Sequence, residues 1–205
     1  MNNDIAAILL AHKNSGIYVD RIAGLVYPLE RTVAGADYKS VKQIFPVSCT
    51  ESPEACTDDA VYKSLVPDAK YRSIIYFEEF SEVQFLERDR HGLKYATELL
   101  LVCWFNTLRF VNGSRCNIGS LLASNIIGDL PFNYFNAAPY SQVHVTSVRQ
   151  PIKSKDLFSK YTYNNELSQY LIYPFDFFAL RIRVEFVLPL NCIELINITD
   201  DPNCV

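Results

Sequence analysis

Residues 180–188 read Leu180-Arg181-Ile182-Arg183-Val184-Glu185-Phe186-Val187-Leu188, and this stretch decides the fold. Every second side chain from Leu180 to Leu188 is apolar, and the positions between them include Arg181, Arg183 and Glu185. Successive side chains of a β-strand point to opposite faces, so this alternation is typical of a half-buried strand. We therefore predict a sheet that presents a charged face, and Arg181, Arg183 and Glu185 are candidate contact residues.

The composition is that of a globular protein with a sizeable core. The chain has 205 residues, of which 49% are hydrophobic, and this is enough apolar material for one well-packed domain. We therefore expect residues 1–205 to form a single α+β domain. The net charge of −4 and the pI near 5.4 argue against a nucleic-acid-binding surface that covers the protein.

No targeting or membrane segment is expected. The apolar run at residues 5–11 is short, follows Asp4 instead of a basic stretch, and lacks a small-residue cleavage site, so it does not resemble a signal peptide. The apolar stretch near the C-terminus is interrupted by Asp176, Arg181, Arg183 and Glu185. A transmembrane helix needs about 20 predominantly apolar residues, so we predict none.

Two kinds of periodicity mark the elements of the chain. Helical spacing of apolar residues predicts N-terminal helices at residues 3–12 and 17–30, and one helix at 117–130 that packs across a sheet. Strand-like composition or alternation predicts strands at 41–47, 73–79, 83–88, 93–105, 142–150 and in the opening stretch. The fold class is therefore α+β with a mostly antiparallel sheet. The simplest layout of 73–105 is a meander with a hairpin turn at 89–92, and the tail at 199–205 is expected to fray.

A long polar loop is predicted near residues 48–60. It is acidic and contains two cysteines, and its length exceeds that of a tight turn. Long loops in compact domains tend to bind partners, so we expect an exposed contact loop. Its candidate contact residues are Cys49, Glu51, Glu54, Cys56, Asp58 and Asp59.

The six cysteines are expected to be reduced thiols, because the chain is too large to need disulfide staples and shows no export signal. Cys103 lies in an apolar run, where a thiol behaves as a small hydrophobe. Cys49 and Cys56 leave two alternatives open, a disulfide or a share in a zinc site. The six residues between them are a loose spacing for zinc ligands.

The sequence carries no recognisable catalytic motif. The most polar cluster, Glu87 to Gly92, is typical of a solvated hairpin turn, because neighbours at a strand end point apart and catalytic groups usually converge from separate elements. His12, His91 and His144 lack metal-binding spacing, and no glycine-rich phosphate loop occurs. We predict no enzyme activity, cofactor or metal. The aromatic segment 132–140 is a further candidate contact loop.

The order of elements resembles the small neck and tail-completion proteins of tailed bacteriophages and prophages, of the tail-terminator-like class. The resemblance covers most of the chain: the N-terminal helices, the strand ending Ile44-Phe45-Pro46-Val47 before a cysteine-containing loop, the run 99–106, the crossing helix, and the run 173–180. The runs 99–106 (LLLVCWFN) and 173–180 (YPFDFFAL) are similar to those of proteins encoded beside tail genes in phages of Bacteroidetes-type hosts.

This resemblance implies a non-enzymatic virion structural protein that assembles in the host cytoplasm. It implies a homo-oligomeric ring, sixfold or twelvefold, at the head–tail junction. Its partners would be a portal-side connector or tail proteins, and DNA would pass through its lumen without specific binding. A tail terminator and another portal-proximal ring both fit. A soluble cytoplasmic protein-binding module and an enzyme without a recognisable motif are the alternatives.

Overall fold

A computed structural model describes residues 1–11, 18–34, 40–49, 52–57, 61–110, 118–149, 152, 155–162 and 172–190. Within these residues, two helices, α1 and α2, accompany nine strands. The elements are α1 (Asn2–Ala11), β1 (Arg21–Leu25), β2 (Tyr27–Ala34), β3 (Ser40–Val47), β4 (Ser73–Glu79), β5 (Gln84–Arg88), β6 (Leu93–Asn106), α2 (Ile118–Gly128), β7 (Phe135–Ala137), β8 (Tyr140–Val148) and β9 (Phe175–Leu188). The α+β fold class is confirmed.

Seven strands form one sheet in the order β1-β4-β6-β9-β8-β7, and β5 pairs with β6 beside β4. The centre of the sheet is the antiparallel pair β6 and β9, which are each 14 residues long and pair over their whole length, from Leu93 opposite Leu188 to Asn106 opposite Phe175. The predicted strand at 180–188 is therefore confirmed as the end of a longer central strand.

One face of the sheet packs against both helices. The even-numbered residues of β9, such as Leu180 and Ile182, and the odd-numbered residues of β6, such as Leu99 and Leu101, are buried together with Ile5 and Leu9 of α1. Apolar side chains of α2 belong to the same core: Ile118, Leu122, Ala123 and Ile126. Helices α1 and α2 overlap the segments 3–12 and 117–130, for which the sequence predicts helices.

The opposite face carries a second core over part of its length. Trp104 and Val102 of β6 and Phe177 and Ala179 of β9 pack there against a layer from other parts of the chain. That layer contains the β2–β3 hairpin and short turns and 3-10 helices, which contribute Phe45, Tyr62, Leu65, Phe158 and Tyr161. We call this region, with its layer, the covered half of the second face.

The predicted second helix at residues 17–30 is wrong, because this region forms β1 and the start of β2. Arg21 and Ile22 pair in parallel with Ile74 and Ile75 of β4. The helical spacing of the apolar residues was overridden by this long-range pairing, which buries Leu25 on the helix side of the sheet. Pro28 lies exposed in a two-stranded sheet, where a missing N–H is tolerated.

The predicted meander is also wrong in its order, although its strands and turn are confirmed. β4 and β5 do not pair with each other within the described sheet; both pair antiparallel with β6, β4 at residues 99–105 and β5 at 93–96. Together, β4 and β5 form one side of a long antiparallel hairpin with β6, and a short segment that belongs to neither strand separates them. Its turn is closed by Asp89, whose side chain accepts hydrogen bonds from the amides of His91 and Gly92.

Candidate interaction surfaces

The second face of the sheet changes character beyond Leu100 and Ala179, where its apolar core ends. Towards the other end of the same two strands, this face carries charged side chains that are partly exposed. They are Lys94 and Glu98 of β6, and Arg181, Arg183 and Glu185 of β9. We call these five residues the charged strip. The sheet thus brings the predicted contact residues Arg181, Arg183 and Glu185 together with Lys94 and Glu98.

Ion pairs across the strands connect the charged strip. Arg181 binds the Glu98 carboxylate with two guanidinium nitrogens, and its guanidinium carbon lies 4.0 Å from the centre of the Phe80 ring. Glu185 accepts from Lys94 at 3.0 Å and lies 3.7 Å from Arg183. Both Arg181 nitrogens donate to the same oxygen, Oε2 of Glu98, and such charge-assisted and shared contacts fix the side chains in place.

The charges of the strip balance within the chain. Glu87 on β5 lies 3.9 Å from Lys94, so Lys94, Arg181 and Arg183 face the three carboxylates of Glu87, Glu98 and Glu185. A hydrogen bond to Glu185 is the main cause that raises the pKa of the Lys94 ammonium above its ordinary range. The strip therefore offers neither a strongly basic nor a strongly acidic surface to a partner.

His144 of β8 borders the strip. It lies opposite Glu185 in the sheet, and its ring is 3.9 Å from that of Tyr134. Burial is the main cause that lowers the pKa of the imidazole. The side chain is therefore neutral at physiological pH and adds no cation to the strip.

Exposed aromatic groups flank the sheet on one edge. All five residues of β5 are exposed, and Phe85 is 57% exposed. Phe80, which directly follows β4, and Leu86 within β5 are also exposed. Phe80 lies against Arg181 on the second face, whereas Phe85 lies against Tyr95, which packs on the helix-side core. We call Phe80, Phe85 and Leu86, which lie along this edge, the β5 patch. Among the described strands β5 pairs only with β6, so the patch lies on an open edge.

A second exposed aromatic group lies on the opposite edge. Phe132 and Tyr134 precede β7, which pairs only with β8 among the described strands. We call these two residues the β7 patch. Both patches lie at the same end of the sheet, because Glu87 of β5, Lys94 of β6, Val187 of β9 and Gln142 of β8 form one row across it. The predicted aromatic contact segment 132–140 thus contains one of the two patches.

The loop after β3 is closed by a disulfide between Cys49 and Cys56. The expectation of reduced thiols is therefore wrong for this pair, while Cys103 is a buried free thiol as predicted. Pro53–Cys56 forms a short 3-10 helix whose Ala55 is buried in the second core, so the loop is less exposed than expected. The Arg31 guanidinium donates to the Cys56 carbonyl at 2.6 Å.

The acidic contact residues of this loop are only partly described. Glu54 is exposed and accepts a hydrogen bond from Ser52 at 3.2 Å. Glu51, Asp58 and Asp59 lie outside the described residues, as does the tail at 199–205. The loop packs with the covered half, whereas Arg181, Arg183 and Glu185 lie in the charged strip. The two sets of predicted contact residues therefore belong to different regions of the molecule.

A cleft of about 400 Å³ lies at the border of the covered half. It contains the buried carboxylate of Glu78, which accepts from the Tyr161 hydroxyl at 2.6 Å and from the Lys160 ammonium at 2.7 Å. The sequence prediction missed this site because its partners lie 83 positions apart. The one available signal was an acid in the strongly apolar segment Ser73–Glu79, whose other residues up to Phe77 are buried.

No metal-binding cluster of histidine, cysteine or acidic side chains occurs among the described residues. Neither described helix is long and apolar enough to cross a membrane. Comparison of the chain with protein-family models, with curated proteins and with solved structures finds no match.

Proposed function

We propose that the protein is a non-enzymatic virion structural protein that forms a homo-oligomeric ring at the head–tail junction of a tailed phage. The observation that carries this proposal is the pair of different exposed aromatic patches on opposite edges of one sheet. A ring requires a heterologous interface, in which one surface of a subunit contacts a different surface of the next subunit. The β5 patch and the β7 patch supply two such surfaces.

Edge strands support this mode of assembly. An exposed strand edge carries backbone groups that can pair with another chain. Contact between β5 of one copy and the β7 region of the next would continue the sheet from subunit to subunit, while Phe85 and Tyr134 would lose exposed apolar surface. A contact that closes after six or twelve subunits gives a ring.

The charged strip suits a surface that lines a channel for DNA. Binding to phosphates requires cations that are available to them. In the strip, however, Lys94, Arg181 and Arg183 each lie within 4 Å of a carboxylate of the same chain. DNA would pass such a surface without adhering to it. The faces of the ring would contact a portal-side connector and tail proteins, and the protein would be located in the virion after assembly in the host cytoplasm.

Oligomeric state tests the proposal directly. Native mass spectrometry and light scattering of the purified protein should give a closed oligomer of six or twelve copies. Phe85→Glu and Phe132→Glu should each yield monomers, because each substitution places a charge in one patch. Leu121→Glu is the matched control, since Leu121 on α2 is 59% exposed and lies outside both patches; it should assemble normally.

A mixture of the two variants distinguishes a head-to-tail contact from other modes of subunit association. Each variant retains one intact patch, so an equimolar mixture should form a one-to-one dimer that cannot grow. A wild-type protein that stays monomeric at high concentration would contradict ring formation. A mixture that stays monomeric would contradict the proposed pairing of patches. Mass spectrometry of purified particles, with density at the neck, tests the location in the virion.

A further inference from the structure

A buried carboxylate, that of Glu78, forms the floor of the cleft at the border of the covered half. Glu78 is 4% exposed and lies on the second face next to Leu100, its partner in the sheet. The Tyr161 hydroxyl, itself on a buried residue, donates to one carboxylate oxygen of Glu78 at 2.6 Å. A buried carboxylate is costly unless it is paired, and here a neighbouring side chain supplies the charge that balances it.

The balancing cation differs from Glu78 in its exposure. The Lys160 ammonium lies 2.7 Å from the second carboxylate oxygen, yet its side chain is 47% exposed. A lysine side chain is long and flexible and keeps its charge hydrated. Lys160 itself can therefore move into solvent easily, whereas Glu78 cannot follow it and would need another cation in the same place.

The walls of the cleft are mainly apolar. Phe80, Leu100, Ile152 and Leu157 line it, and Asp156 and Ser159 add polar groups beside Lys160. Its volume of about 400 Å³ is within the range of small-ligand sites, which combine apolar walls with a few convergent polar groups. Among the described residues, the charged side chains that line the cleft, apart from Lys160, are the carboxylates of Glu78, Glu79 and Asp156.

We propose that this cleft binds a basic side chain of a protein partner and that Lys160 occupies the place of that side chain in the free protein. The incoming ammonium or guanidinium group binds the Glu78 carboxylate, and its alkyl chain lies against Leu100, Ile152 and Leu157. An acidic side chain would instead meet the carboxylates of Glu78 and Asp156. This binding does not require ring formation, because the described residues that line the cleft belong to one chain.

Binding of small model compounds tests the proposal. Nα-acetyl-lysinamide is the probe, and Nα-acetyl-norleucinamide, which has a similar alkyl chain without the charge, is its control. In ¹H–¹⁵N spectra of the full chain, the lysine compound should cause saturable shifts of the amides of Leu100, Ile152 and Ser159. The norleucine compound should cause none. Shifts that occur only elsewhere, or equal shifts with both compounds, would overturn the proposal.

Variants of the two ion-pair partners provide the decisive comparison. Lys160→Met should tighten binding of the lysine compound several-fold, up to about tenfold, because the probe no longer displaces a half-exposed ion pair. Lys42→Met changes the net charge equally at an exposed salt bridge with Glu30 on the β2–β3 hairpin and should leave the affinity unchanged. Glu78→Gln should abolish binding. Equal affinities of Lys160→Met and the wild-type protein would overturn the proposal even if Glu78→Gln failed to fold.

Discussion

The two halves of the second sheet face are built from the same two strands and are stabilised in different ways. In the covered half, Trp104 and Phe177 pack against a second layer. In the charged strip, Arg181 and Glu98 satisfy each other within the sheet. The difference shows that strand alternation alone does not decide whether a face becomes a core. A second layer is required where large apolar side chains occupy the face, and paired charges replace it where they do not.

The largest effect is expected from removing the central side chain of the covered half. Trp104 is among the largest fully buried residues, and its ring stacks on Phe175 with centroids 5.3 Å apart. Trp104→Ala should lower the free energy of unfolding by about 3–5 kcal/mol, measured by urea denaturation. A loss below about 1 kcal/mol would mean that the second layer is not a true core.

The disulfide stabilises the layer that covers this half. Reduction of Cys49–Cys56 should lower the free energy of unfolding by about 2–3 kcal/mol, since the cross-link restricts the unfolded chain over a short loop. The measurement is urea denaturation with and without dithiothreitol. The double variant Cys49→Ser and Cys56→Ser should match the reduced protein and should not respond to the reductant. Equal stability of the oxidised and reduced protein would contradict this role.

Within the charged strip, leaving a carboxylate unpaired should lower the free energy of unfolding less than removing a core side chain does. Arg181→Met leaves the Glu98 side chain, which is 14% exposed, without its guanidinium partner, and should destabilise the fold by about 1–3 kcal/mol. Adding Glu98→Gln should restore part of this loss in the same denaturation experiment. Charge reversal at Arg181 should therefore impair folding. Full stability of Arg181→Met would mean that the pair is merely solvated.

The smallest expected effect is a pH dependence of the free energy of unfolding that arises from Lys94. Its folded-state pKa lies above the ordinary value of 10.5, chiefly through the hydrogen bond to Glu185. The stabilisation is therefore complete below the unfolded-state pKa and is lost as the pH rises through the folded-state pKa. The stability difference between the wild-type protein and Lys94→Met should be below about 1 kcal/mol. It should stay constant between about pH 7 and pH 9 and shrink above that range. A difference that grows with pH would contradict the pairing.

The comparison of the two halves also explains what the sequence could predict. The strict alternation at 180–188 and the apolar density of 73–79 and 93–105 reveal strands because burial on a sheet imposes those patterns locally. The helix at 17–30 was wrong because parallel pairing of Arg21–Leu25 with β4 depends on residues some fifty positions away. Arg181 and Glu185 could be recognised as one face of a strand, but their cross-strand partners Glu98 and Lys94 could not, since strand register sets those pairs.

The candidate sites were likewise predictable where their signal is local in the sequence, and they were missed where it depends on distant residues. Segment 132–140 was recognisable as a contact region because aromatic residues cluster in it along the chain. The β5 patch was missed, since its exposure results from the interrupted pairing of β4 and β5 along β6. Cys49 and Cys56 were recognised as a possible pair, but spacing could not distinguish a cross-link from free thiols. Their approach depends on the 3-10 turn that buries Ala55.

The uninterrupted pairing of β6 with β9 has a consequence for how the chain acquires its fold. Residues 107–174 lie between these two strands, so the central ladder closes a long loop and contributes strongly to a high contact order. The β4–β5–β6 hairpin can form during synthesis as a local unit, but the other edge of β6 stays unpaired until β9 has been synthesised. We therefore expect slow folding with a single late docking step, and an interval in which a nascent chain exposes its most apolar strand to chaperones or to aggregation.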